Sequence, residues 1–253
     1  MTAPVFTVRE VRLYEREVRL RLPFRFGVVT LTQAPQAFVR ARIELADGSS
    51  HWGAAAEMLV PKWFDKNLAL SNEDNFQQLR LALALAADAY TASGRPRTAF
   101  GHFAAHYDEQ IAAGAARGLN PLVASFGPAQ IDRAVLDAVC RSAGRSFYEA
   151  IRTNLPGIDP ALLPAQAGDL AGFDLRRFLA QLTPAVSIAA RHTVGLVDAI
   201  AGHPREVGDG LPESLEDVVA GYGHTALLLS RRVYALVREN LAAEDAPLAA
   251  TPG

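Results

Sequence analysis

Lys62 and Lys66 are the only lysines in the chain; the rest of its 25 basic residues are arginines. A reaction that needs a neutral amine as base must use one of these two, because a guanidinium keeps its proton above pH ~12. His102 and His106 sit four apart in a helical stretch, the spacing at which two imidazoles share a metal ion. No Glu follows His102 and no third ligand is evident, so the alternative is a solvated or capped helix face. Cys140 lies beside Val135, Leu136 and Val139 and reads as a small buried hydrophobe. A single cysteine leaves no intramolecular disulfide and no Cys-rich zinc site. Gly221-x-Gly223 has neither a third glycine nor a long strand before it, and is no nucleotide fingerprint.

Composition narrows the classes further. The 253 residues carry a net charge of −2, half are hydrophobic and 21% are charged. That describes a globular chain with ample core and no basic face for nucleic acid. Charges run through the first seventeen residues, which excludes a signal peptide, and no stretch reaches the ~20 apolar residues of a membrane span. The expected location is cytoplasmic, with no membrane partner.

These residues must be positioned by identifiable elements. Phe6, Val8, Val11, Leu13, Val18, Leu20 and Leu22 alternate with charged residues as a half-buried strand does. Residues 23–30 read as a loop, 37–45 alternate again, Asp47-Gly48 marks a tight hairpin, and 51–57 make the returning strand. Such a meander needs a helical layer over one face. Ser71-Asn72-Glu73-Asp74 starts the first helix, a second covers about 98–116, and a third is expected after Gly127-Pro128. Short helices follow at 146–151 and 174–182. Pro, Gly, Ala and Asp make 152–172 a linker. The apolar run 185–190 reads as a buried strand, Ser214 caps another helix, and 226–241 reads as an amphipathic helix.

Three segments carry a resemblance. Leu22-Pro23-Phe24-Arg25-Phe26-Gly27, the strand Trp52-Gly53-Ala54-Ala55-Ala56-Glu57, and Ile131-Asp132-Arg133-Ala134-Val135-Leu136-Asp137-Ala138 together resemble the capping domain of the enolase superfamily, mandelate racemase and muconate lactonising group. The resemblance implies an α+β fold: a three-stranded antiparallel meander on a helical layer, followed by the start of a (β/α) barrel. It divides the chain into a capping domain at 1–151, a linker and short helix at 152–183, a first βα unit at 184–225, and a divergent helix and tail at 226–253. It also implies two loops over a small carboxylate substrate, at 22–32 and 57–66. Phe24, Arg25 and Phe26 are then substrate-binding, with arginine as carboxylate clamp, or else an ordinary strand-end turn. Arg191 and His192, at the end of the first barrel strand, face the substrate mouth or are structural. In the family, magnesium held by strand-end carboxylates stabilises the enediolate formed when a lysine or histidine removes the proton beside a carboxylate.

The sequence departs from that pattern where the chemistry sits. Fewer than about seventy residues follow Pro184, against ~200–250 for a whole barrel. Where a Lys-x-Lys strand would stand, the chain reads Thr225-Ala226-Leu227-Leu228-Leu229-Ser230-Arg231-Arg232. The acids from Asp198 to Asp245 do not fall at the ends of three successive strands, so no residues present support magnesium and no catalytic residue is assigned. The expectation is a truncated or frame-altered superfamily member. Its activity is that of a racemase, dehydratase or cycloisomerase by resemblance only. The alternatives are an inactive fragment that self-associates (a homo-oligomer) or binds a partner, and a small-molecule binding module.

Overall fold

The computed structural model describes residues 2–163, 170, 172–188, 191–202, 205, 207–222 and 226–228, and for 191–192, 222 and 226–228 only the backbone. The chain divides into two compact units, one of residues 1–18 and 34–184, the other of residues 19–33 and 185–253.

The sheet runs in the order β1 (Phe6–Phe26), β2 (Val29–Leu45), β3 (Ser50–Met58); residues 19–26 and 29–33 of its first two strands belong to the second unit, and the rest lies in the first, covered by α1 (Asn72–Ala92), α2 (Ala99–Ala115) and α3 (Pro121–Ser142). The β2–β3 hairpin turns at Asp47-Gly48, where Gly48 takes φ 83° and the Asp47 carboxylate accepts from Ser49 N at 2.9 Å. Antiparallel register then pairs Ile43 with His51 and Ala41 with Gly53. Alternation sends Val39, Ala41 and Ile43 inward, where they meet Leu79, Ile131 and Val135, all at most 1% exposed. Each large side chain so buried contributes roughly 1.5–3 kcal/mol. β3 lies against α3 with almost no spacing: a methyl on Gly53 would come within 2.1 Å of Ala134 O. Beside it, Ala54 N donates to Asp137 Oδ2 at 2.9 Å. The strand and helix segments that carry the resemblance are therefore packed on one another.

Two expectations about this unit change. The third helix starts at Pro121, capped by Asn120, and runs through Gly127-Pro128. Pro128 removes the donor that Ala124 O would normally receive, and Gln110 Nε2 fills that place at 3.1 Å while also reaching Ala82 O at 3.0 Å. Gly127 lets α1 come close, since a methyl there would lie 2.0 Å from Ala82 O. The helix tolerates its proline because a neighbouring side chain supplies the missing bond. The second change concerns residues 23–30: β1 runs to Phe26 and β2 begins at Val29, so only Gly27 (φ 52°) and Val28 turn.

α4 (Phe147–Arg152), a 3-10 turn (Pro160–Leu162) and α5 (Leu175–Ala180) complete the first unit. Ser146 and Glu149 form a reciprocal capping box on α4.

In the second unit, residues 185–188 are not strand; Val186 and Ile188 stand almost fully exposed, and residues 189–190 lie outside the described part. The strand, β4 (Arg191–Thr193), falls later because its register partner is there: it pairs in parallel with β5 (Ala226–Leu228), with α6 (Leu215–Tyr222) between them. A parallel pair joined through a helix is a βαβ unit. The expected helix at 226–241 thus begins as strand. Three apolar residues fit either state, and pairing with β4 decides. The remainder of that stretch lies outside the described residues.

Candidate functional site

The hairpin tip belongs to the second unit, with residues 185–253. Leu196 N, three residues beyond β4, donates to Arg25 O at 3.0 Å. The segment Phe24-Arg25-Phe26 is thereby held at the carboxyl end of β4, the end at which parallel α/β strands gather their binding groups. Gly195 makes the approach possible: a methyl there would lie 3.1 Å from Phe24 Cδ2 and 2.6 Å from Asp198 Oδ1. Asp198 closes the turn by accepting from Gly195 N at 2.7 Å.

A second clasp lies further down the hairpin. Arg21 reaches Asp209 with two nitrogens, Nη2 to Oδ1 at 2.6 Å, and donates to Leu211 O and Pro212 O at 2.7 and 2.8 Å. The guanidinium beside it holds the Asp209 carboxyl down at about 2. Neither Arg21 nor Asp209 has a local signal in the sequence, because 188 residues separate them.

The Phe24 and Phe26 rings lie 5.7 Å apart, tilted by 34°. Strand alternation directs Arg25 to the opposite face, where its side chain is exposed and has no ion pair among the described residues. Arg191 and His192 form the first two positions of β4, so their backbones share this unit with the hairpin tip; their side chains lie outside the described part. His224 and the Thr225 position, where a catalytic strand would begin, also lie outside it.

The other expected loop, 57–66, belongs to the first unit and is fastened there. Lys62 takes φ 60°; its backbone N donates to Asn75 Oδ1, and its ammonium donates to the carbonyls of Asn67 and Leu70. Asp65 accepts from Asn67 N and Gln78 Nε2, and Phe64 packs edge-on against Phe126 at 5.1 Å. The loop packs on the first unit through these contacts. Lys62 is a loop clasp.

The histidine pair is buried rather than solvated. His102 and His106 are 1% and 6% exposed, between α1 and α2. His102 Nε2 donates to Phe6 O at 2.9 Å and its ring stacks on Phe6 at 5.1 Å, while His106 lies 4.7 Å from the Tyr90 ring. Burial holds the His102 imidazole neutral, pulling it down to about 4. Cys140 is buried, as read from its neighbours, and burial raises its thiol above the ordinary value.

Four described carboxylates of the second unit, Asp198, Asp209, Glu213 and Asp217, are already engaged and do not fit magnesium. Asp198 closes a turn, Asp209 is taken by Arg21, and Glu213, 7% exposed, accepts from Arg205 N and Val207 N. Asp217 accepts from the Ser214 hydroxyl at the start of α6. Among the described residues no group of three His, Cys, Asp or Glu side chains converges as a metal site needs.

No protein family's sequence profile matches the chain, and no curated protein matches it. Solved structures similar to it are mandelate racemase/muconate lactonising and enolase-superfamily proteins. A mandelate racemase/muconate lactonising enzyme from Bordetella bronchiseptica RB50 is 23% identical, covering 58% of this chain and 33% of its own, at a TM-score of 0.34. An enolase from Bradyrhizobium, solved with magnesium and mandelic acid, is 15% identical over 59% of this chain and 35% of its own, at 0.35. A dipeptide epimerase from Enterococcus faecalis V583, with Mg and the dipeptide L-Leu-L-Tyr, is 15% identical over 57% and 34%, at 0.32. The match spans about a third of each solved structure. Among the described residues no helix is long and apolar enough to cross a membrane.

Proposed function

We propose that the chain is the capping part and first βα unit of a mandelate racemase/muconate lactonising-type protein. In this reading it binds a small carboxylate at the hairpin tip, and its own residues do not supply the proton-abstracting base or the magnesium ligands. The observation that carries the reading is the bond from Leu196 N to Arg25 O, which sets Phe24-Arg25-Phe26 at the carboxyl end of β4. There the exposed Arg25 guanidinium offers a two-pronged contact to a substrate carboxylate. No lysine follows Lys66, and the Lys62 ammonium is held by two carbonyls of its own loop. Mandelate and L-Leu-L-Tyr, which the similar structures carry, are the natural probes.

Calorimetric titration of the chain with each probe, with and without magnesium chloride, tests this reading. It expects millimolar or tighter binding that does not depend on magnesium, weakened about tenfold in Arg25→Met, with no racemisation by polarimetry. A stoichiometric magnesium site, or turnover, overturns the non-catalytic part. A second reading, self-association, draws on Val186 and Ile188, which expose 105% and 93% of their reference areas. Light scattering decides it: a dimer or larger species that Val186→Ser/Ile188→Ser returns to monomer supports it, and a monodisperse parent chain rejects it.

A further inference from the structure

A groove of about 470 Å³ lies in the first unit against α4 and α5. Its apolar floor is Ile158, Leu175 and Leu179, and its charged lining is Arg152 and Arg176. Among the described residues no Asp or Glu lines it. This volume accepts a small organic molecule.

The two arginines differ from most others in their unit. Arg80 is shared between Glu15 and Glu73, Arg133 pairs with Glu57, Arg141 with Asp137, and Arg145 with Glu149. Arg152 and Arg176 have no ion pair or side-chain hydrogen bond among the described residues. The nearby described acids are engaged elsewhere. Glu149 closes the capping box of α4, Asp159 accepts from Ala161 N, and Asp174 caps α5 at Arg177 N. The groove wall is also pre-formed. Asn154 takes φ 52° and its side-chain amide grips Ile158 in both directions, at 2.9 and 2.8 Å. Thr153 spends its hydroxyl on Glu149 O. The free donors facing the groove are the guanidinium groups, which offer planar, two-pronged contacts to carboxylate or phosphate oxygens.

We infer that this groove is a binding site for a small amphipathic anion, with a carboxylate or phosphate head held by Arg152 and Arg176 and a short apolar body on Ile158, Leu175 and Leu179. Its residues belong to the first unit, and its occupant need not be the carboxylate proposed at the hairpin tip.

Titration of the full isotopically labelled chain with adipate, phenyl phosphate, inorganic phosphate and neutral hexanol tests the inference. Saturable amide shifts at Arg152–Ile158 and Leu175–Ala180 are expected with adipate or phenyl phosphate, and the stronger of the two identifies the head group. Arg152→Gln and Arg176→Gln each weaken that binding about tenfold, and Arg25→Met leaves it unchanged. Both arginines are exposed, so melting temperatures within a degree or two of the parent are expected for these variants. The inference is overturned if neither organic anion binds, if hexanol binds as well as they do, or if binding survives both arginine variants. Shifts confined to the hairpin and lost in Arg25→Met belong to the other site and count against this one.

Discussion

The two units are held together by different physics. In the first, sheet and helices meet over side chains such as Ile43, Leu59, Ile131 and Val135 that are fully buried, and backbone approaches backbone at Gly53 and Gly127. In the second, no described apolar side chain is less than 6% exposed: Leu31 and Val194 reach 6%, Val29 and Leu215 8%. Its order comes from polar clasps instead, Arg21 on Asp209, Leu196 N on Arg25 O, and Glu213 on two amides. A unit held by apolar burial tolerates salt; a unit held by partly exposed ion pairs does not. The chain is therefore expected to unfold in two stages, the second unit first.

The largest effect should come from Gly53→Val. The added atoms would meet the α3 backbone, which cannot move aside cheaply, so the first unit should lose more than about 4 kcal/mol or fail to fold. Urea unfolding followed by circular dichroism measures it. A loss under about 1 kcal/mol would mean that the sheet and α3 are not in the contact described.

Next in size is acidification of the first unit. His102 is held near 4 against 6.5 in a free chain, so the unfolded state takes up a proton that the folded state refuses. Stability present above pH 6.5 should fall as pH drops toward 4, by on the order of 3 kcal/mol. Asp132 acts with opposite sign. Burial pushes its carboxyl up to about 7 from 3.8, so its contribution declines as pH rises through that interval. Melting curves of the parent and His102→Gln separate the two: the acid-side loss should flatten in the variant, and an unchanged profile would remove His102 as its source.

A smaller effect, confined to the second unit, follows from Arg21→Ala. Hydrogen exchange at residues 22–32 and 209–212 should quicken about tenfold, and 0.5 M salt should quicken it several-fold in the parent, while the amides of Ile131 to Val139 do not change. The Asp209 clasp is present above pH 3.8 and is lost as pH falls through about 2, so this unit should also loosen at strongly acid pH. Uniform quickening across both units would erase the distinction between them. The smallest effect is expected of Gly195→Ala. Its methyl would press on the movable ends of Asp198 and Phe24, costing about 1 kcal/mol and showing as faster proteolysis near Phe26.

The difference between the units also explains what could be read from the sequence. Meander and caps were legible because their causes are local: period-two alternation, Asp47-Gly48, Ser71 with Asp74, Ser146 with Glu149. The start of α3 was obscured by Pro128, whose missing bond is supplied by Gln110 from another helix. The burial of His102 and His106 depends on Phe6 and Tyr90 arriving from other elements. In the second unit almost every decisive partner is distant. β4 is fixed by β5 more than thirty residues on, and the hairpin tip by a segment nearly two hundred residues away. The Phe24–Phe26 segment was picked out by family resemblance, whereas the residues that hold it, Arg21, Gly195 and Asp198, carry no signal of their own.

The most direct test of carboxylate binding at the hairpin tip is a mandelate titration of the isotopically labelled chain, read at the amides of Arg25, Gly195, Leu196 and Asp198. The account predicts saturable shifts at all four in the parent chain and their loss in Arg25→Met. Shifts that never saturate there, or that persist unchanged without the Arg25 guanidinium, would contradict it.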